Sequence, residues 1–359
     1  MRTRFPLLAV TLVLWLVAAA CSSAGATAPA KTPVPTLAVG PTPVTTLAPE
    51  TVVPTEAVTS APTVAETAAA TETGPATSEP TPAETVAPSP SPIPSVGTEC
   101  TAGYVTTITP NVLTVGTDNP AYPPYFKGRE GGNTPPWDPS QGDPTTGKGF
   151  ESAVAYAVAG ALGFSADKVT WVVVPFSNSF APGAKKFDFD INQVSYTPER
   201  AQAADLSDGY YFGNQTVVTL QSSSFAKATS ITALQSAKLG AQVGTTSYDA
   251  IVNVIMPTNQ PQVYDSNDAA IQALKNKQID AILVDLPTAD FITNVQLANS
   301  VIVGQLAQGT PEHFSAVLAK DSPLTPCVNE AIAVLTMTGT LQQLANKWLP
   351  FNDTPVLTP

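Results

Sequence analysis

Residues 142–149 read Gly-Asp-Pro-Thr-Thr-Gly-Lys-Gly and come close to a phosphate-cradling loop. In such a loop, backbone N–H groups wrap the phosphates and a final Ser or Thr holds Mg²⁺. Here the last position is Gly149, a proline interrupts the loop, and no strand leads into it, so nucleotide binding is not supported. The single histidine, His313, excludes a multi-His metal centre and weakens any Ser-His-Asp arrangement. No Cys-x-x-Cys pair occurs, and carboxylates are too common to imply acid–base chemistry without geometry. No metal and no cofactor is called for. Better candidates for recognition chemistry are Arg200 in Thr197-Pro198-Glu199-Arg200, Asp285 before Leu286-Pro287, and Thr245-Thr246 after Gly244. An arginine fork takes a carboxylate through two hydrogen bonds, a carboxylate takes an ammonium, and a helix start favours an anion. Each also has a plain structural reading. Arg200 suits a helix start paired with Glu199 or Asp205, Asp285 suits a helix N-cap, and Thr246 suits a cap.

These residues fall at the ends of a regular pattern. Residues 112–116 read as a short buried strand. After Gly149, apolar residues Phe150, Val154, Ala157, Val158, Ala161 and Leu162 recur at helical spacing, and Gly163 is a suitable stop. Strands are expected at 169–175 and 187–194, the second carrying Asp188 and Asp190. Strand, helix, strand at this spacing reads as βαβ with a parallel sheet. The rhythm returns with a strand at 239–243, helices at 248–255 and 269–277, and a strand at 279–284 ending at Asp285. Residues 301–303 lead on to a strand at 314–319, and helices at 326–336 and 341–348 follow. Two α/β units result, with the last segments belonging to the first. In open α/β sheets, ligands sit beyond the carboxyl ends of strands, where the polar candidates lie.

The ends of the chain are a different material. Arg2 and Arg4 precede an apolar run, 7–20, that closes in Ala18-Ala19-Ala20 before Cys21. This is a secretory signal pattern, short for a membrane span. The Cys directly after small residues resembles a bacterial lipobox, apart from Ala18, where Leu is more usual. That resemblance implies cleavage before Cys21 and a lipid on its thiol, hence a membrane anchor; an ordinary signal peptide with a coincidental Cys is the alternative. Residues 22–97 hold 15 of the 36 prolines and no aromatic residue. Such a stretch buries too little apolar surface to offset its ordering entropy, and it reads as a semi-rigid stalk. Its Ser/Thr with Pro hints at O-glycosylation. Residues 98–359 remain for two lobes of ordinary domain size. The net charge of -12 argues against nucleic acid as a partner. With Cys21 lipidated, Cys100 and Cys327 remain in a chain bound for an oxidising compartment. A Cys100–Cys327 disulfide is expected, with two free buried thiols as the alternative.

Free amino acid recognition needs a cation for the carboxylate, a carboxylate for the ammonium and a walled pocket for the side chain. Ordered blocks carry a resemblance to a family that does this. They are Leu113-Thr114-Val115-Gly116-Thr117-Asp118 with Tyr122-Pro123-Pro124-Tyr125, Gly149-Phe150-Glu151, Phe187-Asp188-Phe189-Asp190-Ile191, and Thr197-Pro198-Glu199-Arg200. Then come Ser207-Asp208-Gly209-Tyr210-Tyr211, Gly244-Thr245-Thr246, Ile279-Asp280-Ala281, Gly339-Thr340-Leu341 and Lys347-Trp348. Over residues 112–349 the chain resembles the polar amino acid, family 3, solute-binding receptors of ABC transporters. The resemblance implies an α/β, two-lobed periplasmic-binding-protein-like fold (type II) with two crossing hinge strands, near 217–220 and 301–304. Together with the N-terminal reading, it divides the chain into signal peptide 1–20, stalk 21–97, lobe 1 at 98–218 plus 304–352, and lobe 2 at 219–303. It implies a monomeric, exported, non-enzymatic protein on the outer face of the cell membrane, with a free amino acid as ligand and ABC transporter permease subunits as partners. Arg200 would clamp the α-carboxylate, with Ser195 on the same loop and Thr245 and Thr246 adding donors. Asp285 would take the α-ammonium. Tyr122 and Phe176 would wall the side-chain pocket, and Asp118 and Gln193 would approach the ligand's polar end. Tyr122 and Phe176 also suit plain core, Asp188 and Asp190 suit structural roles, and Tyr210-Tyr211 suit packing near the crossing.

Two rivals share the fold: an amino acid sensor for a signalling partner, and a dehydratase-like enzyme with a general acid in the cleft. The Gly/Pro-rich stretch 128–148, with Glu130, Trp137, Asp138 and Asp143, is longer than the matching loop in compact relatives. It reads as a surface insertion, or as a flap over the ligand.

Overall fold

Every residue of Leu113–Thr117 is buried, as expected of a strand covered on both faces. It opens the computed structural model's described residues, 94–306, 312–349 and 353–359, after a short 3₁₀ turn at Thr98–Cys100. The expected signal peptide, Cys21 and nearly all of the stalk lie outside these residues. In chain order the elements are β1 (Leu113–Thr117), α1 (Phe150–Ala161), β2 (Val169–Val173), α2 (Phe176–Ser179), β3 (Phe189–Asp190), α3 (Pro198–Ala203) and β4 (Asp205–Gly213). Then come β5 (Gln215–Leu220), β6 (Leu239–Gln242), α4 (Thr246–Ala250), β7 (Gln262–Tyr264), α5 (Asn267–Lys275), β8 (Ala281–Asp285), α6 (Leu286–Phe291) and β9 (Ser300–Leu306). The chain closes with β10 (Glu312–Leu318), α7 (Thr325–Met337), α8 (Thr340–Trp348) and β11 (Val356–Leu357).

Two sheets result. The first has the order β2-β1-β3-β10-β4, the second β11-β9-β5-β8-β6-β7. β1 pairs parallel with β2 and β3, and β6 pairs parallel with β7 and β8. β5 and β10 run antiparallel to their neighbours. In the second lobe, Val217 and Leu283 face one core with Leu239 and Ile251, while Val218 and Ile282 face another with Ile271 and Leu274. Alternate residues of one strand thus enter opposite cores, which is why β5 reads as an unbroken buried run.

The residues expected near the crossings, 217–220 and 301–304, do lie in strands: 217–220 in β5, which pairs with β8 on one side and β9 on the other, and 301–304 in β9. Between the two sheets, β4 of the first runs into β5 of the second through the single residue Asn214. Buried valine runs make strands, and the passage at Asn214 carries no apolar signal. Residues 304–306 therefore belong to the second sheet. So does the C-terminal tail, where β11 adds parallel to β9. Leu357 is buried there against Gly304, where a Cβ would lie 2.8 Å from the leucine. The expected strand 187–194 is reduced to Phe189–Asp190, because Gln193 turns left-handed at φ 49.

Cys100 and Cys327 form a disulfide that ties the 3₁₀ turn to α7 across a separation of 227 residues. In the chain-entropy description, a loop of this length restricts the unfolded chain by about 5 kcal/mol. The 128–148 stretch is a folded insertion. Trp137 is 4% exposed in the first-lobe core, and the Asn133 Nδ2 donates to the carbonyls of Asp138, Gln141 and Gly142. Asn119 Nδ2 donates to Pro136 O at 2.8 Å, and Asp138 N donates to Asn119 Oδ1 at 3.1 Å. The insertion thus braces the loop after β1, and none of its residues lines the cleft described next.

Candidate functional site

The carboxyl ends of strands from both sheets converge on one cleft of about 300 Å³. From the first lobe come Asp118 after β1, Tyr122, Phe176 after β2, Gln193 and Ser195 after β3, and Arg200 on α3. From the second come Thr245 and Thr246 at the start of α4, and Asp285 at the end of β8. All nine sequence-derived site residues line it. Asn119, Gln242, Asp265, Asn267 and Thr288 line it too and were not foreseen. Their only signal was position: each sits at the end of a strand, on the loop after one, or on the helix that follows.

Arg200 is 8% exposed. Thr197 caps α3 by accepting from Arg200 N at 3.2 Å, so Arg200 stands in the first turn of a helix. The guanidinium does not pair with Asp205, which instead meets Lys320 at 3.2 Å. Its Nη1 donates to Ser195 O, and its Nη2 reaches across the cleft to Gly244 O at 2.8 Å. The Phe180 ring lies 4.5 Å and the Phe176 ring 5.7 Å from the guanidinium carbon. Phe176 thus walls the cleft and flanks the cation at once. Among the described residues Arg200 has no carboxylate in ion-pair contact. Burial pushes its pKa down, while Asp249, Glu312 and Asp285 hold it up. A desolvated cation of this kind favours an anion beside it.

Asp285 stands at the N-cap position of α6 but makes no side-chain cap. Its Oδ1 accepts from Gln215 Nε2 at 3.1 Å, and the same amide donates to Glu312 Oε2 at 3.0 Å. Burial first, and then the Glu312 charge, raise the Asp285 carboxyl to about 7. Thr246 Oγ1 donates to Glu312 Oε2 at 2.7 Å, and Thr245 caps α4. Tyr122 donates to Asp268, and Tyr125 meets Thr288 at 3.1 Å. These last contacts join the lobes, so the cleft is in a closed form. Asp188 is structural, as read: its carboxylate takes the N–H groups of Ile108 and Thr114, both at 2.7 Å. Asp190 lies in the first sheet, where burial and the nearby Glu151 and Asp118 push its carboxyl well up.

Residues 113–351 match the bacterial extracellular solute-binding proteins, family 3. The chain belongs to that family. L-cystine-binding protein TcyJ of Escherichia coli (strain K12) is 32% identical over 223 residues, covering 60% of this chain and 79% of that protein. Among solved structures, an ancestral arginine-binding protein bound to glutamine matches with a TM-score of 0.54 and 27% identity, covering 66% of this chain and 97% of that one. An ancestral amino acid-binding protein, described as a precursor of cyclohexadienyl dehydratase, matches with a TM-score of 0.53 and 27% identity, covering 67% and 95%. These neighbours share the two-lobed fold. In this family 3 protein the match opens at the first residue of β1, so Cys100 and β11 lie outside it. Among the described residues, no helix is long and apolar enough to cross a membrane.

Proposed function

We propose that this family 3 protein captures a free amino acid in the inter-lobe cleft and delivers it to the permease of an ABC importer. The observation that carries the reading is the desolvated Arg200 guanidinium, without a carboxylate partner among the described residues, lining the same cleft as Asp285. In this reading Arg200, with Ser195, Thr245 and Thr246, holds the α-carboxylate, and Asp285 takes the α-ammonium. Tyr122 and Phe176 flank the side chain, whose polar end meets Asp118 and Gln193. Arg200 and Asp285 come from different lobes, so a zwitterion bridges them and favours closure. The names of the relatives, a cystine-binding and an arginine-binding protein, support an amino acid of polar side chain.

The protein is read as an exported monomer. Cys21 carries the lipid anchor, which holds the protein at the outer face of the cell membrane. Transport is favoured over catalysis because the matched relatives are binding proteins; the dehydratase precursor keeps an enzyme as the second reading. A thermal-shift screen of the common L-amino acids tests the proposal. A ligand at 100 times its Kd adds about 2.7 kcal/mol to stability, a visible rise in Tm. If no amino acid raises Tm at millimolar concentration, the reading fails.

A further inference from the structure

Gln193 occupies an unusual place in the cleft wall. It is not glycine, yet its φ is 49, a left-handed conformation that side chains disfavour. Something must hold it there, and that is Glu151, in the first turn of α1. Glu151 is fully buried, at 0% exposure. Its Oε1 accepts from Gln193 N at 2.7 Å and from the Tyr210 hydroxyl, and its Oε2 accepts from Gln193 Nε2. One carboxylate therefore grips both the backbone and the side chain of Gln193. The grip also sets the amide's direction. An ionised carboxylate only accepts, so the NH₂ of Gln193 must face it. The amide is planar, so its carbonyl oxygen points away from Glu151. Gln193 lines the cleft, as does Asp118, another acceptor. The Asp118 carboxylate takes Asn119 N at 2.7 Å and Phe176 N at 3.3 Å, which fixes its place on the same wall.

We propose that Glu151 is a positioning residue for ligand selectivity: it holds Gln193 with its carbonyl oxygen toward the cleft, so that the site selects amino acids whose side chain carries N–H donors. The donor is a guanidinium, an ammonium or a primary amide. The proposal rests on the amino acid reading above, and it assigns to a buried residue outside the cleft lining the choice among amino acids. A side chain without donors leaves the Gln193 carbonyl oxygen and the remaining lone pairs of Asp118 without a ligand donor in a closed cleft, which is the strongest basis a site has for rejecting an analogue.

Glu151→Gln is the informative variant. Its new amide can donate to Gln193 Oε1, which turns that side chain over and presents NH₂ to the cleft. Calorimetric titrations of the full chain at pH 8, above the raised Glu151 value of about 7, read the effect. The ligands are L-arginine, L-lysine and L-glutamine as donors, L-norleucine and L-methionine as donor-free counterparts, and L-glutamate as an acceptor. In wild type at least one donor ligand is expected to bind about a hundredfold tighter than L-norleucine. Glu151→Gln should cut that ratio at least tenfold and shift the L-glutamate to L-glutamine ratio toward L-glutamate. A merely structural role would weaken every ligand alike and leave the ratios unchanged, and that result overturns the proposal. If Glu151→Gln does not fold, Gln193→Leu decides by the same donor to L-norleucine ratio, since it keeps the Tyr210 contact to Glu151. Wild type binding L-norleucine as tightly as the donors overturns the proposal while amino acid capture stands. Wild type binding no amino acid at all overturns both.

Discussion

Arg200→Ala is expected to weaken amino acid binding by about 3–5 kcal/mol, a loss of two to three or more orders of magnitude in affinity, with little change in the stability of the ligand-free protein. The two effects separate for a physical reason. In the free protein the guanidinium is desolvated, held by two carbonyls and two aromatic rings, and pushed down in pKa by burial. Removing such a cation relieves a desolvation cost as it removes contacts, so the net change in folding is small. In the complex, its removal leaves the ligand's carboxylate in a closed cleft without its counter-charge. Arg200→Lys should recover only part of the loss, because an ammonium cannot make the paired fork. Calorimetry on the three proteins, with Tm as the folding control, reads the result. Equal affinity in wild type and Arg200→Ala contradicts the assignment.

The second large effect is at Asp285. Asp285→Asn removes the charge that meets the ammonium, with an expected loss of about 2–4 kcal/mol. It also removes a pH dependence whose sign follows from the raised carboxyl. In the free protein Asp285 titrates near 7, well above the ordinary 3.8. Binding an ammonium requires the carboxylate, so complex formation below about pH 7 releases a proton. Affinity should therefore fall as pH drops below 7, approaching tenfold per unit. In the ligand-free protein the sign is opposite. A raised acid pKa means the folded state holds the proton more tightly, so the stability that Asp285 contributes at acid pH is lost as pH rises through about 7. Glu151 is also raised to about 7 by burial and shares the pH range. The difference between wild type and Asp285→Asn isolates the part due to Asp285. Titrations between pH 5.5 and 8 that give parallel profiles for the two proteins would contradict this role.

The cleft was more legible in the sequence than the frame that holds it. The strand ends announced themselves through short chemistry-bearing blocks, Thr197-Pro198-Glu199-Arg200 and Gly244-Thr245-Thr246, each tied to a local helix start. Helix α1 was legible because Phe150, Val154 and Val158 share a face, and Gly149 and Gly163 bound it with positive φ. What depended on pairing between distant segments was not visible. The β4 strand is polar at several positions and takes its form from β10. The β11 strand is two residues long and exists only because β9 offers an edge. The same holds within the site. Gln215, Glu312 and Thr246 meet through contacts across 31 to 97 residues, and Glu151 meets Gln193 across 42. Glu151 stood in the sequence only as part of the Gly149-Phe150-Glu151 block, with no sign of its partner. Trp137 looked like part of a surface flap, yet its ring is buried in the first-lobe core.

The central claim is that both ends of a zwitterion are held, one by Arg200 and one by Asp285. Calorimetric titration of the full chain with the best-binding L-amino acid, its methyl ester and its N-acetyl derivative tests it most directly. The account predicts saturable binding of the free amino acid alone, with each blocked derivative weaker by at least a hundredfold, because each removes one charge from a closed and desolvated cleft. Binding of either derivative as tightly as the free amino acid would contradict it.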